Sequence, residues 1–431
     1  MYSAFKKRSI AMFKSKKRIL SIIISLVMVL STISVLNFSA VAATEEKTVL
    51  ISCSDFQATF DSDGALTVKT ILNRVKESGI TKIDGLLFTG DMTRHLNNQP
   101  SQSESGLAAL KDAVKSRYDI ADSDMVFVRG NHDPVGTQGA SESGNNDDAD
   151  GKYGVFVIHE DDYMWYQGVS TTNGNSSVSD DEQTIKNTAA NLKAYFDEKI
   201  EAKFDKPIFV LSHLPLHYTA RTSNGDCQYA KYIFDELNAA SEKGLNIYFL
   251  FGHNHSGYYD DYIGGSSIYL KPNDQIVLAD VGSRTSFQSY TLKFSYMTAG
   301  YVGYYNSGNP VDKSLNMVVY EIYKDRVEIS RYSTSGIVNL KGAGYGSVGE
   351  YQADTNVYAS PFTSVLKFFR EKGLLSNNRS IDAEDLLILK QHLLNISEMD
   401  AKIAEYADMN DDGVVDSTDI TILSTMIVGL S

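Results

Sequence analysis

Short apolar runs alternate with stretches of helical periodicity along the first half of the chain. Buried strands are predicted at residues 49–53, 86–88, 125–128, 208–211 and 247–250. Apolar residues at helical spacing predict helices over residues 66–75, 107–114, 184–200 and 229–240. Strands that alternate with helices are typical of a parallel sheet covered by helices. Beyond about residue 276 the pattern becomes strand-rich, which predicts a further mixed or antiparallel sheet.

The first 43 residues have a different pattern. Seven basic residues and no acidic one precede an apolar run over residues 19–36, and the small-residue segment Ala40-Val41-Ala42-Ala43 follows. This order is typical of a secretory signal peptide. Cleavage near Ala42 or Ala43 would give a secreted bacterial protein with no stable membrane anchoring. An uncleaved anchor is the alternative, because the 18-residue apolar run nearly reaches spanning length.

Charge and cysteine content exclude two classes of protein. The 431 residues include 40 basic and 54 acidic side chains, and removing the basic first segment leaves a still more acidic chain. Such a chain repels phosphate backbones, so no nucleic-acid polymer is expected as a partner. Two cysteines are too few for a disulfide-rich scaffold.

Polar side chains follow five of the predicted strands, at the point where each strand ends. In chain order they are Asp55 and Gln57, then Asp91, then Asn131, His132 and Asp133, then His213, and finally His253 and His255. Ligands of open α/β sheets bind outside the carboxyl ends of the strands. Carboxylates, imidazoles and an amide oxygen together suit two divalent ions that assist a displacement at phosphorus. The sequence therefore predicts a dimetal hydrolytic site.

These motifs resemble the Asp-x-His, Gly-Asp, Gly-Asn-His-Asp/Glu, His and Gly-His-x-His blocks of the calcineurin-like metallophosphoesterase superfamily. The resemblance covers roughly residues 47–340 and implies a four-layer α/β sandwich. It also implies two metal-ligand sets that share Asp91: Asp55, Gln57, Asp91 and His255 in the first, and Asn131, His213 and His253 in the second. His132 would be the catalytic histidine, oriented by Asp133, while a hydroxide that bridges the ions attacks phosphorus.

Gln57 departs from the family pattern, in which a histidine stands at this position. An amide oxygen is a weaker and harder ligand than imidazole, so among Mn, Fe and Zn the substitution favours Mn. The manganese-dependent ADP-ribose/CDP-alcohol diphosphatases of the superfamily share this Asp-x-Gln block, which favours a diester or pyrophosphate substrate and leaves a monoester open. The alternative is a non-catalytic or decayed scaffold component, with Gln57 marking the decay.

The C-terminal sixty residues contain a 12-residue pattern of calcium ligands. Its oxygen-bearing positions are Asp408, Asn410, Asp412, the carbonyl of Val414, Asp416 and Asp419, with Gly413 at the sixth position for the sharp turn. The sequence predicts a calcium site here and no convincing helix before it. A weaker copy lies 34 residues earlier, where Leu374 and Arg379 occupy the first and sixth positions.

The duplicated loop–helix pattern is similar to dockerin modules, which attach secreted enzymes to cohesin-bearing scaffolds such as cellulosomes. The resemblance implies a small all-α module, a cohesin partner, and Ser417 and Thr418 as the contact pair; a generic EF-hand tail is the alternative. The predicted organisation is a signal peptide at 1–43, a phosphoesterase domain at 44–340, a linker at 341–370 and a dockerin at 371–431. The predicted protein is an extracellular, cellulosome-associated hydrolase of phosphate esters.

Overall fold

The computed structural model of the chain describes residues 45–429 apart from several segments. Those segments are 58–62, 94–99, 135, 160–181, 218–227, 254–268, 284–285, 304–314, 335, 339, 342–343, 348–349, 353–356 and 359–360. The predicted signal peptide and the predicted metal ligand His255 lie outside the described residues. Within the described residues, no helix combines the length and the apolar character that a bilayer crossing requires.

In the described part of the chain between residues 48 and 251, strands alternate with helices as the periodicity predicts, except that three strands between residues 125 and 158 follow one another. In the described part of the chain the helices are α1 (Asp63–Glu77), α2 (Pro100–Lys115), α3 (Glu182–Glu201), α4 (Ala230–Glu242), α5 (Ala383–Leu393), α6 (Ala401–Ala407) and α7 (Ser417–Gly429). The strands there are β1 (Thr48–Cys53), β2 (Gly85–Phe88), β3 (Met125–Phe127), β4 (Gly144–Asn145), β5 (Gly154–Ile158), β6 (Pro207–Ser212), β7 (Asn246–Phe251), β8 (Tyr269–Leu270), β9 (Gln275–Ala279), β10 (Phe287–Thr291), β11 (Ser295–Thr298), β12 (Gly300–Tyr301), β13 (Asn316–Ile322), β14 (Arg326–Ser333), β15 (Gly336–Val338), β16 (Leu340–Lys341), β17 (Gly344–Ser347), β18 (Glu350–Gln352), β19 (Val357–Tyr358) and β20 (Phe362–Val365).

Two sheets contain most of these strands. The first has the order β15-β14-β13-β1-β2-β3, with β12 beside β13 and β20 beside β14. Its strands β1, β2 and β3 are parallel, whereas β13 runs antiparallel to β1. The second has the order β4-β5-β6-β7-β11-β8, and its strands β5, β6, β7 and β11 are parallel.

The five motif-bearing strands are therefore divided between the two sheets, three in the first and two in the second. The strand-rich part beyond residue 276 does not form one separate sheet: β9 and β10 pair antiparallel with each other, whereas β13 and β14 extend the first sheet. A strand that is buried on both faces gives the same continuous apolar run in either sheet. The hydrophobic pattern alone could not assign the strands to their sheets.

Side chains on the central strands point alternately to the two faces of each sheet, and this packing produces four layers. In β1, Ile51 packs with α1 and α2, whereas Leu50 faces the second sheet. In β6, Val210 packs with α3 and α4, whereas Phe209 faces the first sheet. Successive side chains of a strand point to opposite faces, so each sheet buries one face against helices and the other against its partner sheet. The four-layer α/β sandwich is confirmed.

The C-terminal helices α5, α6 and α7 surround a small apolar core of their own. Its buried residues are Leu375, Leu389, Ala407 and Leu423. The all-α module is therefore confirmed, but α6 precedes the calcium loop where no helix was expected. Asp400 caps it by accepting the amide of Lys402 at 2.8 Å. Only seven residues long, α6 is too short to give a clear periodic signal.

Strands also occur in the segment predicted as a linker. Within it, β16 pairs with β19, β17 pairs with β18, and β20 pairs antiparallel with β14 of the first sheet. The chain therefore returns to the large sheet immediately before the C-terminal helices. The domain boundaries stay predictions.

Candidate functional site

The predicted site residues that the structure describes converge at one edge, where parallel strands of both sheets end. The amide of Asp55 donates to the carbonyl of Gly90 at 2.9 Å, which joins the loops after β1 and β2. The amide of Gly252 donates to the carbonyl of His213 at 3.0 Å, which joins the loops after β6 and β7. The amide of His253 donates to the Asp55 carboxylate at 3.0 Å, so the two sheets meet at the site.

Backbone strain is concentrated in these loops. Left-handed backbone conformations are unfavourable for residues other than glycine, and they cluster at functional sites when the surroundings hold them in place. Four site residues have such positive φ angles: Asp55 (51°), Gln57 (45°), Asp91 (61°) and His253 (64°). The loops are also in close contact, because a Cβ on Gly130 would overlap Asp91 and a Cβ on Gly252 would overlap Ser54.

Four potential ligand atoms lie close together within these loops. The Nε2 atom of His213 is 3.0 Å from Asn131 Oδ1, 3.3 Å from Asp91 Oδ1 and 3.3 Å from His253 Nδ1. His253 Nδ1 is also 3.2 Å from Asn131 Oδ1. Donors at about 2.1 Å from one ion and 90–110° apart are themselves about 3.0–3.4 Å apart. The donor set therefore fits a divalent metal ion.

The tautomer of His213 is set by a carbonyl. Its Nδ1 atom is 2.8 Å from the carbonyl oxygen of Thr89, at the end of β2. A carbonyl oxygen only accepts hydrogen bonds, so Nδ1 carries the proton and Nε2 presents its lone pair to the other ligand atoms. Metal-binding histidines are commonly held by such a bond. Thr89 escaped the sequence analysis because its backbone, not its side chain, makes this contact.

A second group of donors shares members with the first. Asp55, Asp91 and His213 offer ligand atoms that all lie within 4.8 Å of one another, and all three residues are buried. Burial acts to raise the pKa of the Asp91 carboxyl, but His213, His132 and His253 together bring that pKa well below its usual range. Asp91 therefore stays negatively charged and belongs to both groups, as a bridging carboxylate would.

Gln57 lies beside this carboxylate. Its side chain is buried, and its Nε2 donates to Asp91 Oδ2 at 3.4 Å. The backbone amide of Gln57 donates to the backbone carbonyl of Asp91 at 2.9 Å. This bond holds the left-handed backbone of Gln57 against the loop after β2. The structure thus places Gln57 in the site, while coordination of an ion by Gln57 stays a prediction.

His132 occupies the more open side of the site. Its side chain is 14% exposed, and its Nε2 lies 3.8 Å from Asp91 Oδ2. Its backbone amide donates to Asp91 Oδ1 at 3.0 Å. Its Nδ1 is buried and has no hydrogen-bond partner within the described part of the chain. The ring is therefore located by its backbone rather than by a side-chain partner.

Asp133 was expected to orient His132, but its carboxylate has other partners. It accepts the backbone amides of Met92 and Gly130, each at 3.0 Å, and the hydroxyl of Ser103 at 2.8 Å. Burial, together with the nearby charge of Asp91, raises the pKa of Asp133 to about 6. Asp133 thus joins the loops after β2 and β3.

Ser103 is a site-supporting residue that the sequence analysis missed. It lies on α2 and is fully buried, on the same face as Leu107 and Leu110. A small polar residue within an apolar helix face was the available signal, because a buried hydroxyl requires a hydrogen-bond partner. That partner, Asp133, is 30 residues away in sequence.

The predicted calcium loop lies between α6 and α7. Gly413 has a φ of 85°, as the sharp turn requires. The carboxylate of Asp408 accepts the amide of Gly413 at 2.9 Å, and Asp412 accepts that of Val414 at 2.8 Å. Asp419 is buried and accepts the amides of Met409 and Asp416, each at 2.7 Å. Oxygen donors concentrated in one loop suit calcium.

The other predicted residues of the C-terminal module lie in the calcium loop or at the start of α7. Asn410 lies within the loop, where its Nδ2 donates to Asp412 Oδ2 at 2.8 Å. Asp416 accepts the amide of Thr418 at 2.6 Å, and that bond lowers the pKa of Asp416. Ser417 and Thr418 begin α7, and both are exposed.

Comparison with known families agrees with the motifs. Residues 49–257 match the calcineurin-like phosphoesterase family, and residues 375–428 match the dockerin type I domain. The chain therefore contains a calcineurin-like phosphoesterase domain followed by a type I dockerin domain. Such a phosphoesterase domain implies a phosphate-ester substrate, and such a dockerin implies a cohesin partner. No curated protein matches the chain.

Solved structures give only distant likenesses. A dimetal phosphatase from Danio rerio is 11% identical and covers 68% of this chain and 98% of its own, with a TM-score of 0.42. A predicted phosphoesterase from Streptococcus pneumoniae is 11% identical, covering 75% and 98% with a TM-score of 0.28. An NAD nucleotidase from Haemophilus influenzae is 10% identical, covering 89% and 61% with a TM-score of 0.30. Likenesses this distant say nothing about the substrate of this chain.

Proposed function

We propose that the chain is a metal-dependent phosphoesterase whose active site surrounds Asp91. The observation that supports this most directly is the buried group of Asp55, Asp91 and His213, to which Asn131 and His253 add further donors. Buried charged and polar groups are costly unless they are paired or bind a metal ion. A converging set of carboxylate, imidazole and amide donors suits divalent cations.

The proposed ligands form two sets that share Asp91. They are Asp55, Gln57, Asp91 and His255 for one ion, and Asn131, His213, His253 and Asp91 for the other. When bound, the two ions supply an activated water and offset the negative charge that develops on the phosphoryl oxygens. Gln57, in place of an imidazole, favours manganese over zinc in the first set.

The remaining residues position the substrate and the loops. His132, on the open side of the site, is the proposed donor of a proton or hydrogen bond to the leaving oxygen. Asp133 and Ser103 act as positioning residues, because they fix the loops that carry Asp91 and Asn131. The fixed loops keep the proposed ligands at their short mutual distances before any substrate binds.

The dockerin domain is proposed to attach the phosphoesterase to a cohesin-bearing scaffold outside the cell. The signal-peptide pattern of residues 1–43 supports export. The exposed pair Ser417 and Thr418 supports cohesin contact at the start of α7. Calcium bound by the loop from Asp408 to Asp419 would hold that helix in position.

A substrate panel tests the proposed activity. Purified protein would be assayed with Mn²⁺, Fe²⁺ or Zn²⁺ against a phosphomonoester, a phosphodiester and a pyrophosphate. We expect metal-dependent hydrolysis of at least one class, with the highest rate in Mn²⁺. Asp91→Asn should remove nearly all of that activity while the protein stays folded.

Asp147→Asn is the matched control. Asp147 accepts from the amide of Val155 at 2.9 Å and from Tyr195 at 2.6 Å, so it supports structure away from the site. This control should retain activity. The proposal would be contradicted if wild-type protein that holds two ions failed to hydrolyse any of the substrates. No hydrolysis together with one ion or none would support the alternative of a decayed scaffold component.

A further inference from the structure

The two repeats of the dockerin domain differ in the residues that face a calcium ion. Leu374 and Asn378 stand in the first loop where Asp408 and Asp412 stand in the second. Leu374 is buried and apolar, so the first ligand position offers no side-chain oxygen. The first loop therefore lacks one of the oxygen ligands that the second loop offers to calcium, which takes six to eight.

Arg379 replaces the turn glycine of the first loop yet keeps its backbone shape. Its φ is 64°, close to the 85° of Gly413 in the second loop. A left-handed conformation is unfavourable for arginine, so folding of the loop alone would favour glycine at this position. The side chain of Arg379 must contribute something that offsets this strain.

A second arginine binds oxygens of the same loop. The guanidinium of Arg370 donates to the carbonyls of Leu374 and Ser376 at 3.0 and 2.7 Å, and to Asn377 Oδ1 at 2.6 Å. These contacts satisfy oxygens of the loop with a cationic side chain. Arg370 therefore supports the start of the first loop without a metal ion, through oxygens other than the predicted ligand atoms.

The side chain of Arg379 points out of the loop, to the phosphoesterase domain. Its Nη1 donates to the carboxylate of Asp205 at 2.9 Å, just before β6, and its side chain is only 5% exposed. Its Nη2 donates to the carbonyls of Leu366 and Lys367 at 3.3 and 3.0 Å. Arginine–carboxylate pairs with further hydrogen bonds are among the stronger polar contacts in proteins, and here the arginine side chain is buried while Asp205 is partly exposed.

Further contacts fix the segment on which Arg379 is anchored. The amide of Lys367 donates to Asn246 Oδ1 at 2.6 Å, and Asn246 Nδ2 donates to the carbonyls of Asp205 and Lys367. Phe369 packs against the apolar core beside α3 and α4. The acceptors of Arg379 therefore belong to a well-packed edge of the phosphoesterase domain.

From these contacts we propose that the first dockerin repeat has exchanged calcium binding for docking onto the phosphoesterase domain. Arg370 supports the start of the loop without an ion, and Arg379 attaches the loop to Asp205 and to the segment after β20. The dockerin is then carried at a fixed orientation, and only the second repeat responds to calcium. The proposal does not depend on the catalytic activity of the site.

Arg379→Gly is the sharpest variant, because glycine suits the left-handed backbone but removes the guanidinium. Spin labels on Lys193→Cys and Lys402→Cys, in a Cys227→Ser background, would report the distance between the domains. Wild-type protein should give one narrow distribution, which Arg379→Gly should broaden. The hydrogen-exchange rate of the Lys367 amide should rise about tenfold. An unchanged distribution and exchange rate in Arg379→Gly would overturn the docking role.

A double-mutant cycle identifies the partner of Arg379. Asp205→Asn alone should also broaden the distribution, and combining it with Arg379→Gly should add nothing. Lys206→Gln is the control, because Lys206 also lies 3.3 Å from the Asp205 carboxylate but belongs to the phosphoesterase domain. The control should keep the narrow distribution. Additive effects in the double variant would show that Asp205 is not the partner of Arg379.

Calcium titration tests the other half of the proposal. Asn378 and Asp412 occupy the fifth position of each loop, are both exposed, and accept the matching amides of Ser380 and Val414. The readout is the calcium concentration at which the helix content of the full-length protein rises. Asp412→Ala should raise that concentration by about tenfold or more. Asn378→Ala should leave it unchanged. An equal shift in Asn378→Ala would mean that the first loop also binds calcium.

Discussion

Replacing Asp91 with asparagine should abolish the stabilisation of the phosphoesterase domain by divalent metal. The Asp91 carboxylate is 1% exposed, accepts the amide of His132 at 3.0 Å and lies 3.3 Å from His213 Nε2. Asparagine keeps the size and one acceptor oxygen of the side chain. It loses the negative charge that the two proposed metal sites share.

The expected size of the effect follows from this burial. Removing one member of a buried charge pair costs about 3–5 kcal/mol. Even about 3 kcal/mol weakens metal binding by more than about a hundredfold. A metal concentration about 100 times the wild-type Kd stabilises wild-type protein by about 2.7 kcal/mol. The same concentration should stabilise Asp91→Asn by no more than about 0.4 kcal/mol.

The assay is urea unfolding with and without Mn²⁺, at a fixed saturating calcium concentration that keeps the dockerin folded. Asp147→Asn serves as the control for general loss of stability, because Asp147 pairs with Lys199 and Tyr195 away from the site. The Asp147→Asn substitution should lower the free energy of unfolding by the same amount with and without Mn²⁺. A full metal-dependent increment in Asp91→Asn would refute the assignment of Asp91 as the shared ligand.

Three further predictions test other parts of the account. Gln57→His should tighten the first metal site and shift its preference toward Zn²⁺, because imidazole is the softer ligand. Competition between Mn²⁺ and Zn²⁺ for the site measures this preference. Unchanged selectivity would mean that Gln57 does not contact the ion. Asp419→Ala should abolish calcium-dependent cohesin binding and leave phosphoester hydrolysis intact; binding that survives a chelator would contradict it. Burial lowers the pKa of His217 to about 3, so its neutral form is favoured in the fold. As the pH falls below the unfolded pKa of about 6.5, the free energy of unfolding should drop by about 2 kcal/mol by pH 5. His217→Asn should flatten that decline in urea unfolding at pH 7 and pH 5, and an equal decline in both proteins would rule His217 out as its cause.

The residues of the site could be predicted because their positions depend on local pattern. Each follows an apolar run, and the carboxyl ends of parallel strands lie at one edge whichever sheet contains them. Asp91, Asn131, His213 and His253 are brought together accordingly. The supporting contacts could not be predicted in this way. Ser103 and Asp133 meet only through the packing of α2 beside the loop after β3.

The assembly of the sheets and of the modules likewise depends on distant pairs. The apolar run Gly154–Ile158 lies between two polar loops and could have predicted strand β5, but the sequence analysis did not assign it. The return of β13 to β1 pairs residues more than 260 positions apart, which no local pattern specifies. The contact between Arg379 and Asp205 spans 174 positions. In sequence, Arg379 shows only that the turn glycine is missing.

Two metal ions are proposed to bind at Asp91. The most direct test is an anomalous difference map, collected at the manganese edge from crystals grown with Mn²⁺. Two peaks are expected about 3.5–4 Å apart, one on either side of the Asp91 carboxylate. One peak should lie beside Asp55, and the other beside Asn131, His213 and His253. A single peak or none, in crystals saturated with Mn²⁺, would contradict the account.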